Sequence, residues 1–117
     1  MYDTLVTLKR GLTEILALKL LLEGDQYGYQ FVRLIRERSD GKVSLTEGAL
    51  YTTLYRLEAA GHVTSEDTLV GLKRRRRYYK ISDQGRQYAA DEIKKYERLS
   101  EGVMSVLHYK PKAKPAK

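Results

Sequence analysis

The 117-residue chain has no cysteine, no tryptophan, two prolines, one phenylalanine and two histidines. Without cysteine there are neither disulfides nor thiolate metal sites. Both prolines, Pro111 and Pro115, fall among the lysines of the C-terminal tail, so no regular structure is expected beyond His108. No apolar run reaches the ~20 residues that span a bilayer. The opening MYDTLVTLKRG places its charges after the first apolar residues, unlike a secretory signal. A cytoplasmic protein without membrane contact is expected. His62 and His108 stand in no HxxxH or HExxH spacing, and there is no Gly-rich phosphate loop, GxSxG or paired-carboxylate signature. The sequence therefore predicts no enzyme, no metal and no cofactor. Its length suits a single modest core.

The net charge of +7 is unevenly spread. Residues 1–40 carry six basic and six acidic side chains, residues 41–80 eight against four, and residues 81–109 four against five. The tail, 110–117, has four lysines and no acid. The excess lies in the middle of the chain and in the tail. For the middle it implies a polyanionic partner; for the tail, a solubilising role is the simpler reading.

The middle stretch, Ser44 to Ile81, is where the rest of the chain converges. Leu50, Leu54 and Leu57 share one helical face. Gly48, Tyr51, Thr52, Tyr55 and Arg56 fall on the other, a face of phenols, a hydroxyl and a guanidinium with no acid at its centre. Such a face suits a groove lined by phosphates and base edges. Thr46 is a good N-cap with Glu47 in the first turn, although Ser44-Leu45-Thr46-Glu47 offers a competing start. Gly61 is expected as the left-handed residue after the helix. A basic hairpin follows: one strand from His62–Val63 to about Thr68, a loop at Leu69–Lys73, and a second strand over Arg77–Ile81.

Ahead of this unit, Leu5 to Glu23 reads as a helix whose stripe (Leu5, Leu8, Leu12, Ile15, Leu16) broadens through Leu18, Leu20, Leu21 and Leu22. A helix apolar on most sides needs cover on most sides, and a second chain would supply it. Gly24 is expected to end it and Asp25 to cap a second helix, about Tyr27 to Ser39, burying Phe31, Leu34 and Ile35. Asp40-Gly41 signals a turn. After the hairpin, Ser82 or Asp83 caps a last helix reaching roughly Leu107, with Tyr96, Leu99, Val103 and Val106 at seam spacing.

Five consecutive cations, Lys73-Arg74-Arg75-Arg76-Arg77, repel one another, and phosphates that neutralise them explain the clustering better than a solvated tip does. In a strand they alternate faces, so about half reach one DNA backbone. Tyr51 and Tyr55 are read as phosphate, sugar or base contacts, with a core-edge role for Tyr51 as the alternative. Arg56 suits guanine or phosphate, or a neighbouring acid. Tyr96 is read first as core, and second as one of two facing phenols that bracket a flat ligand in a two-fold dimer.

The runs LTEILALKLLLEGDQYGYQFVRLI, SLTEGALYTTLYRLEAAGHV and RRRYYKISDQG together resemble the PadR family of winged-helix transcriptional regulators over about residues 5–107. The resemblance implies a homodimer built from the first and last helices, a DNA-contacting third helix and repression of a neighbouring promoter. A single short C-terminal helix is similar to that of the smaller subgroup, some members of which bind flat aromatic drugs between subunits. Tyr96 stands where those members typically carry tryptophan. Glu47 and Thr52 replace frequent prolines, and Lys73-Arg74 replaces a common glycine pair in the wing.

The expectation is a mainly α fold with a small β-hairpin, a winged helix-turn-helix with a long C-terminal dimerisation helix. Residues 1–82 form the DNA-binding domain, 83–109 the dimerisation helix and 110–117 a disordered basic tail. Double-stranded DNA is assigned to Lys42, Thr46, Glu47, Gly48, Tyr51, Thr52, Tyr55, Arg56, Lys73, Arg74, Arg75 and Arg76. An aromatic effector would meet Leu8, Leu12, Tyr96 and Leu99. The dimer would be sealed by Leu5, Leu8, Leu12, Tyr96, Leu99, Val103 and Val106. The alternatives to a DNA-binding repressor are a regulator that senses an aromatic ligand in its dimer cleft, and a partner-binding winged helix without a DNA role.

Overall fold

A computed structural model describes residues 4–72 and 74–112, with side chains from residue 11 onward. The side chains of Leu5 and Leu8, the whole of Lys73 and the tail from residue 113 lie outside the described residues.

Helix α1 (Thr4–Glu23) buries Ala17, Leu18, Leu20 and Leu21. Its stripe broadens at the C-terminal half because three elements converge on it: α2 (Gly28–Arg38), α3 (Glu47–Ala59) and the sheet. Phe31 and Ile35 of α2, together with Leu50, Leu54 and Leu57 of α3, close the core against it. Burial of each such side chain stabilises the fold by roughly 1.5–3 kcal/mol. Leu34 is half-buried at the margin.

The junction between α1 and α2 departs from the sequence expectation. Gly24 is not among the left-handed glycines, and Asp25 caps nothing; Tyr27 is the N-cap residue, with φ −102° and ψ 161°. The reason is tertiary. Gln26–Tyr27 form a short strand, β1, that pairs antiparallel with Tyr79 and Tyr78. The chain must therefore stay extended two residues longer than the local signal suggests. The Gln26 amide also donates to the Leu20 carbonyl at 3.2 Å, satisfying an end of α1. Outside, Arg38 meets Glu23 at 2.8 Å and holds its carboxyl below the usual range.

Helix α2 ends in a Schellman motif. Asp40 takes φ 54° and Gly41 φ 75°, and the Gly41 amide reaches the Arg36 carbonyl at 2.8 Å. Thr46 then caps α3, its hydroxyl accepting from the Ala49 amide at 3.1 Å, and the Ser44 start is not used. Gly61, at φ 85°, ends α3 in the same motif, the His62 amide donating to the Leu57 carbonyl at 2.9 Å.

Strands β2 (Val63–Leu69) and β3 (Arg75–Ile81) pair antiparallel from Val63↔Ile81 to Leu69↔Arg75, giving the sheet order β1-β3-β2. The second strand starts two residues earlier than the sequence reading had it. The Val70 amide closes the tip on the Arg74 carbonyl at 2.7 Å, and Gly71 supplies φ 80°. Ser82 resolves the capping alternative: its hydroxyl accepts from the Gly85 amide at 3.0 Å and donates to the Gly61 carbonyl at 2.7 Å.

The last helix, α4 (Asp83–Leu107), packs its first half on α1 through Ala89 and Tyr88 and then leaves the body. The radius of gyration is 18.3 Å, against about 13–14 Å for a compact domain of this length. The last part of α4 exposes Leu99, Val103, Val106 and Leu107. This is a winged helix-turn-helix with a projecting C-terminal helix.

Candidate nucleic-acid interface

With Leu50, Leu54 and Leu57 anchored inward, α3 turns Glu47, Gly48, Tyr51, Thr52, Tyr55 and Arg56 outward, all exposed. Tyr55 is 75% exposed. Lys42 and Thr46 are exposed just ahead of the helix, the Thr46 hydroxyl being committed to its cap. Arg56 meets no acid among the described residues; its guanidinium donates to the Thr53 hydroxyl at 3.5 Å. Tyr51 is 44% exposed, with its hydroxyl lying over Gly28 at the start of α2. A methyl group at residue 28 would overlap that hydroxyl, so glycine is what permits the approach.

The cationic run does not act as one block. Strand alternation puts Arg75 and Arg77 on the face of Tyr79 and Ile81, and Arg76 on the opposite face with Tyr78 and Lys80. Arg77 is internally engaged: it bridges to Asp67 at 3.5 Å and donates to the Ser65 hydroxyl at 3.0 Å, which in turn donates to Glu58 of α3 at 2.7 Å. That chain ties the wing to α3. Arg76 sits 4.2 Å above the Tyr27 ring, and Tyr27 meets Tyr78 edge-on at 5.6 Å. Arg74 and Arg75 are exposed and have no acidic partner among the described residues.

A notch of about 460 Å³ separates the wing from the start of α2, walled by Arg74, Arg75, Arg76 and Arg77 on one side, Tyr27, Gly28 and Tyr29 on the other, and Tyr51 from α3. Sequence reasoning missed Tyr27 and Tyr29. The available signal was the Tyr-Gly-Tyr-Gln run, which has no meaning until β1 places it beside β3.

Away from this surface, Leu12, Tyr96 and Leu99 lie together. They line a groove of about 530 Å³ between α1 and α4, with Glu14, Glu92 and Lys95 at its polar side. Glu14 is held by Tyr88, whose hydroxyl donates to it at 3.1 Å. Burial, and then the Glu14 charge, push the Tyr88 phenol up to about 12. The Tyr88 ring stacks on His62 at 4.0 Å, so the groove connects to the residue where α3 gives way to the wing.

A family model for PadR-like transcriptional regulators matches residues 17–91. The chain belongs to this family. PadR-like regulators are transcriptional regulators rather than enzymes, and the winged helix described above is their fold. Among solved structures, the chain is similar to a transcriptional regulator from Clostridium thermocellum, with 31% identity over 93% of this chain and 100% of that one and a TM-score of 0.75. A PadR family regulator from Eggerthella lenta shares 28% identity over 91% of this chain and 90% of that one, with a TM-score of 0.73. PadR of Bacillus subtilis, solved in complex with operator DNA, shares 22% identity over 91% of this chain and 53% of its own, with a TM-score of 0.63, a likeness of fold. No helix among the described residues of this PadR-like regulator is long and apolar enough to cross a membrane.

Proposed function

We propose that this PadR-like regulator binds operator DNA as a cytoplasmic homodimer and represses transcription. The carrying observation is the outward face of α3, where Tyr51, Thr52 and Tyr55 stand exposed beside Arg74 and Arg75 of the wing, which have no acidic partner among the described residues. In this reading α3 enters the major groove and the wing cations take flanking phosphates. Residues 1–82 serve as the DNA-binding unit, 83–109 as the dimerisation helix and 110–117 as a basic tail that attracts DNA without fixing register. The operator-bound relative from Bacillus subtilis supports the assignment by its shared fold. The exposed stripe of Leu99, Val103 and Val106 supports dimerisation, since such a patch on a projecting helix is covered in a stable protein.

A second reading is favoured by the groove beside Tyr96: a flat aromatic effector bound there, against Leu12 and Leu99, regulates DNA binding. Capture of genomic DNA on the purified protein, followed by sequencing, tests the main proposal. Enrichment of one short inverted-repeat site is expected; an unenriched genome would overturn it.

A further inference from the structure

We infer that the notch between the wing and the start of α2 seats a single backbone phosphate of the DNA, with Arg76 as the phosphate-binding residue and Tyr27 as the residue that positions it. This rests on the DNA-binding reading and adds to it a contact made by neither the recognition helix nor the wing tip.

Four observations converge on the notch. Its described lining residues include four arginines and three tyrosines and no acid. Of those cations Arg77 alone has an acidic partner among the described residues, Asp67 across the hairpin, so the notch keeps a surplus of positive charge. Arg76 is pre-placed: its guanidinium lies 4.2 Å above the Tyr27 ring, and Tyr27 is itself fixed by strand pairing and by the edge of Tyr78. A stacked guanidinium keeps its N–H edge free for two oxygens of one phosphate and gives up little freedom on binding. Finally, Tyr29 is half exposed, and the hydroxyls of Tyr29 and Tyr51 make no hydrogen bond among the described residues. These are donors suited to a tetrahedral oxyanion. The first turn of α2, Gly28 and Tyr29, lines the same wall, and the helix N-terminus adds to its positive potential.

The chemistry recognised is a phosphate ester, which a nucleic-acid backbone or a small phosphorylated molecule could each provide. Position decides for the backbone. Tyr51 belongs both to the outward face of α3 and to the notch wall, so a strand bordering the groove that α3 enters passes over the notch.

The test uses the full chain, its captured operator and a scrambled duplex, titrated over a salt series. Arg76→Gln should weaken both duplexes by the same factor and reduce the log–log salt slope of the dimer by about 1.8, the signature of one lost phosphate per protomer. Tyr27→Phe, which keeps the ring, should match wild type, and Tyr27→Leu should behave like Arg76→Gln. Single methylphosphonate substitutions along the operator should reveal one position in each half-site that weakens wild type but leaves Arg76→Gln unaffected. Thermal melts of each variant separate loss of fold from loss of contact. If Arg76→Gln retains the wild-type slope while the operator is still preferred over scrambled DNA, the notch assignment is wrong and the DNA-binding reading survives. If wild type itself shows no DNA binding, the parent reading fails. If inorganic phosphate shifts the Tyr29 resonances at low millimolar concentration while no methylphosphonate position matters, the site takes free phosphate and the backbone assignment is overturned.

Discussion

The hydroxyl of Tyr88 donates a hydrogen bond to the carboxylate of Glu14 at 3.1 Å, joining α4 to α1 at the edge of the groove. The phenol is held neutral, its ionisation raised from 10.0 to about 12 by burial and by the Glu14 charge. The folded form thus keeps this proton where the unfolded chain has lost it. Stability from this group is complete below pH 10.0, falls as pH rises, and is gone above about 12. Urea midpoints across that window should decline for wild type, and Tyr88→Phe should remove this part of the decline. At neutral pH the same substitution should cost on the order of 0.5–1.5 kcal/mol for the lost bond.

Two glycines should respond differently to a methyl group. At Gly85 the nearest atom is the backbone carbonyl oxygen of His62, which also accepts from Ser82 at 3.0 Å, so the junction of wing and α4 must shift. At Gly28 the obstacle is the far end of the Tyr51 side chain, which can swing away. Gly85→Ala should destabilise by about 1–3 kcal/mol. Gly28→Ala should change stability less but reduce DNA affinity by displacing Tyr51. Chemical denaturation of both, read beside DNA titrations, checks the contrast.

Much of this architecture is legible in the sequence, because local chemistry sets it. Thr46 and Gly61 bound α3, Ser82 opens α4, and the Leu50-Leu54-Leu57 spacing orients α3 on the core. What escapes is what depends on distant partners. Gln26 and Tyr27 carry no strand pattern; β3 makes them a strand, which moves the α2 cap from Asp25 to Tyr27. Likewise nothing local separates Arg77 from its neighbours. Its engagement with Asp67 follows from the hairpin register, which sets the two opposite each other.

That register yields a separable outcome within the cationic run. Arg74→Gln and Arg75→Gln should each lower the salt slope of DNA binding by about 1.8, one phosphate contact per protomer of the dimer, and leave stability unchanged. Arg77→Gln should leave the slope nearly intact and loosen the pairing within the hairpin, since it removes the bonds to Asp67 and Ser65 while the Ser65–Glu58 bond to α3 remains. The exposed ion pair alone is worth no more than about 1 kcal/mol. Salt-series titrations and thermal melts on the three variants distinguish the roles.

The projecting end of α4 offers a test of assembly. Val103 and Val106 are exposed at 47% and 76% in the single chain. Placing a charge on that stripe, as in Val103→Glu, should shift sedimentation from dimer to monomer while helical content stays close to wild type. A wild-type protein that sediments only as a monomer at micromolar concentration would contradict the homodimer.

The central claim is that the α3 face and the wing read operator DNA. The most direct measurement is fluorescence anisotropy of wild type and Tyr55→Ala on the captured duplex and on a scrambled one. Wild type should prefer the operator on the order of 10³-fold or more. Tyr55→Ala should lose part of that preference, about 1–3 kcal/mol for a base contact. Equal affinity of wild type for both duplexes would contradict the claim.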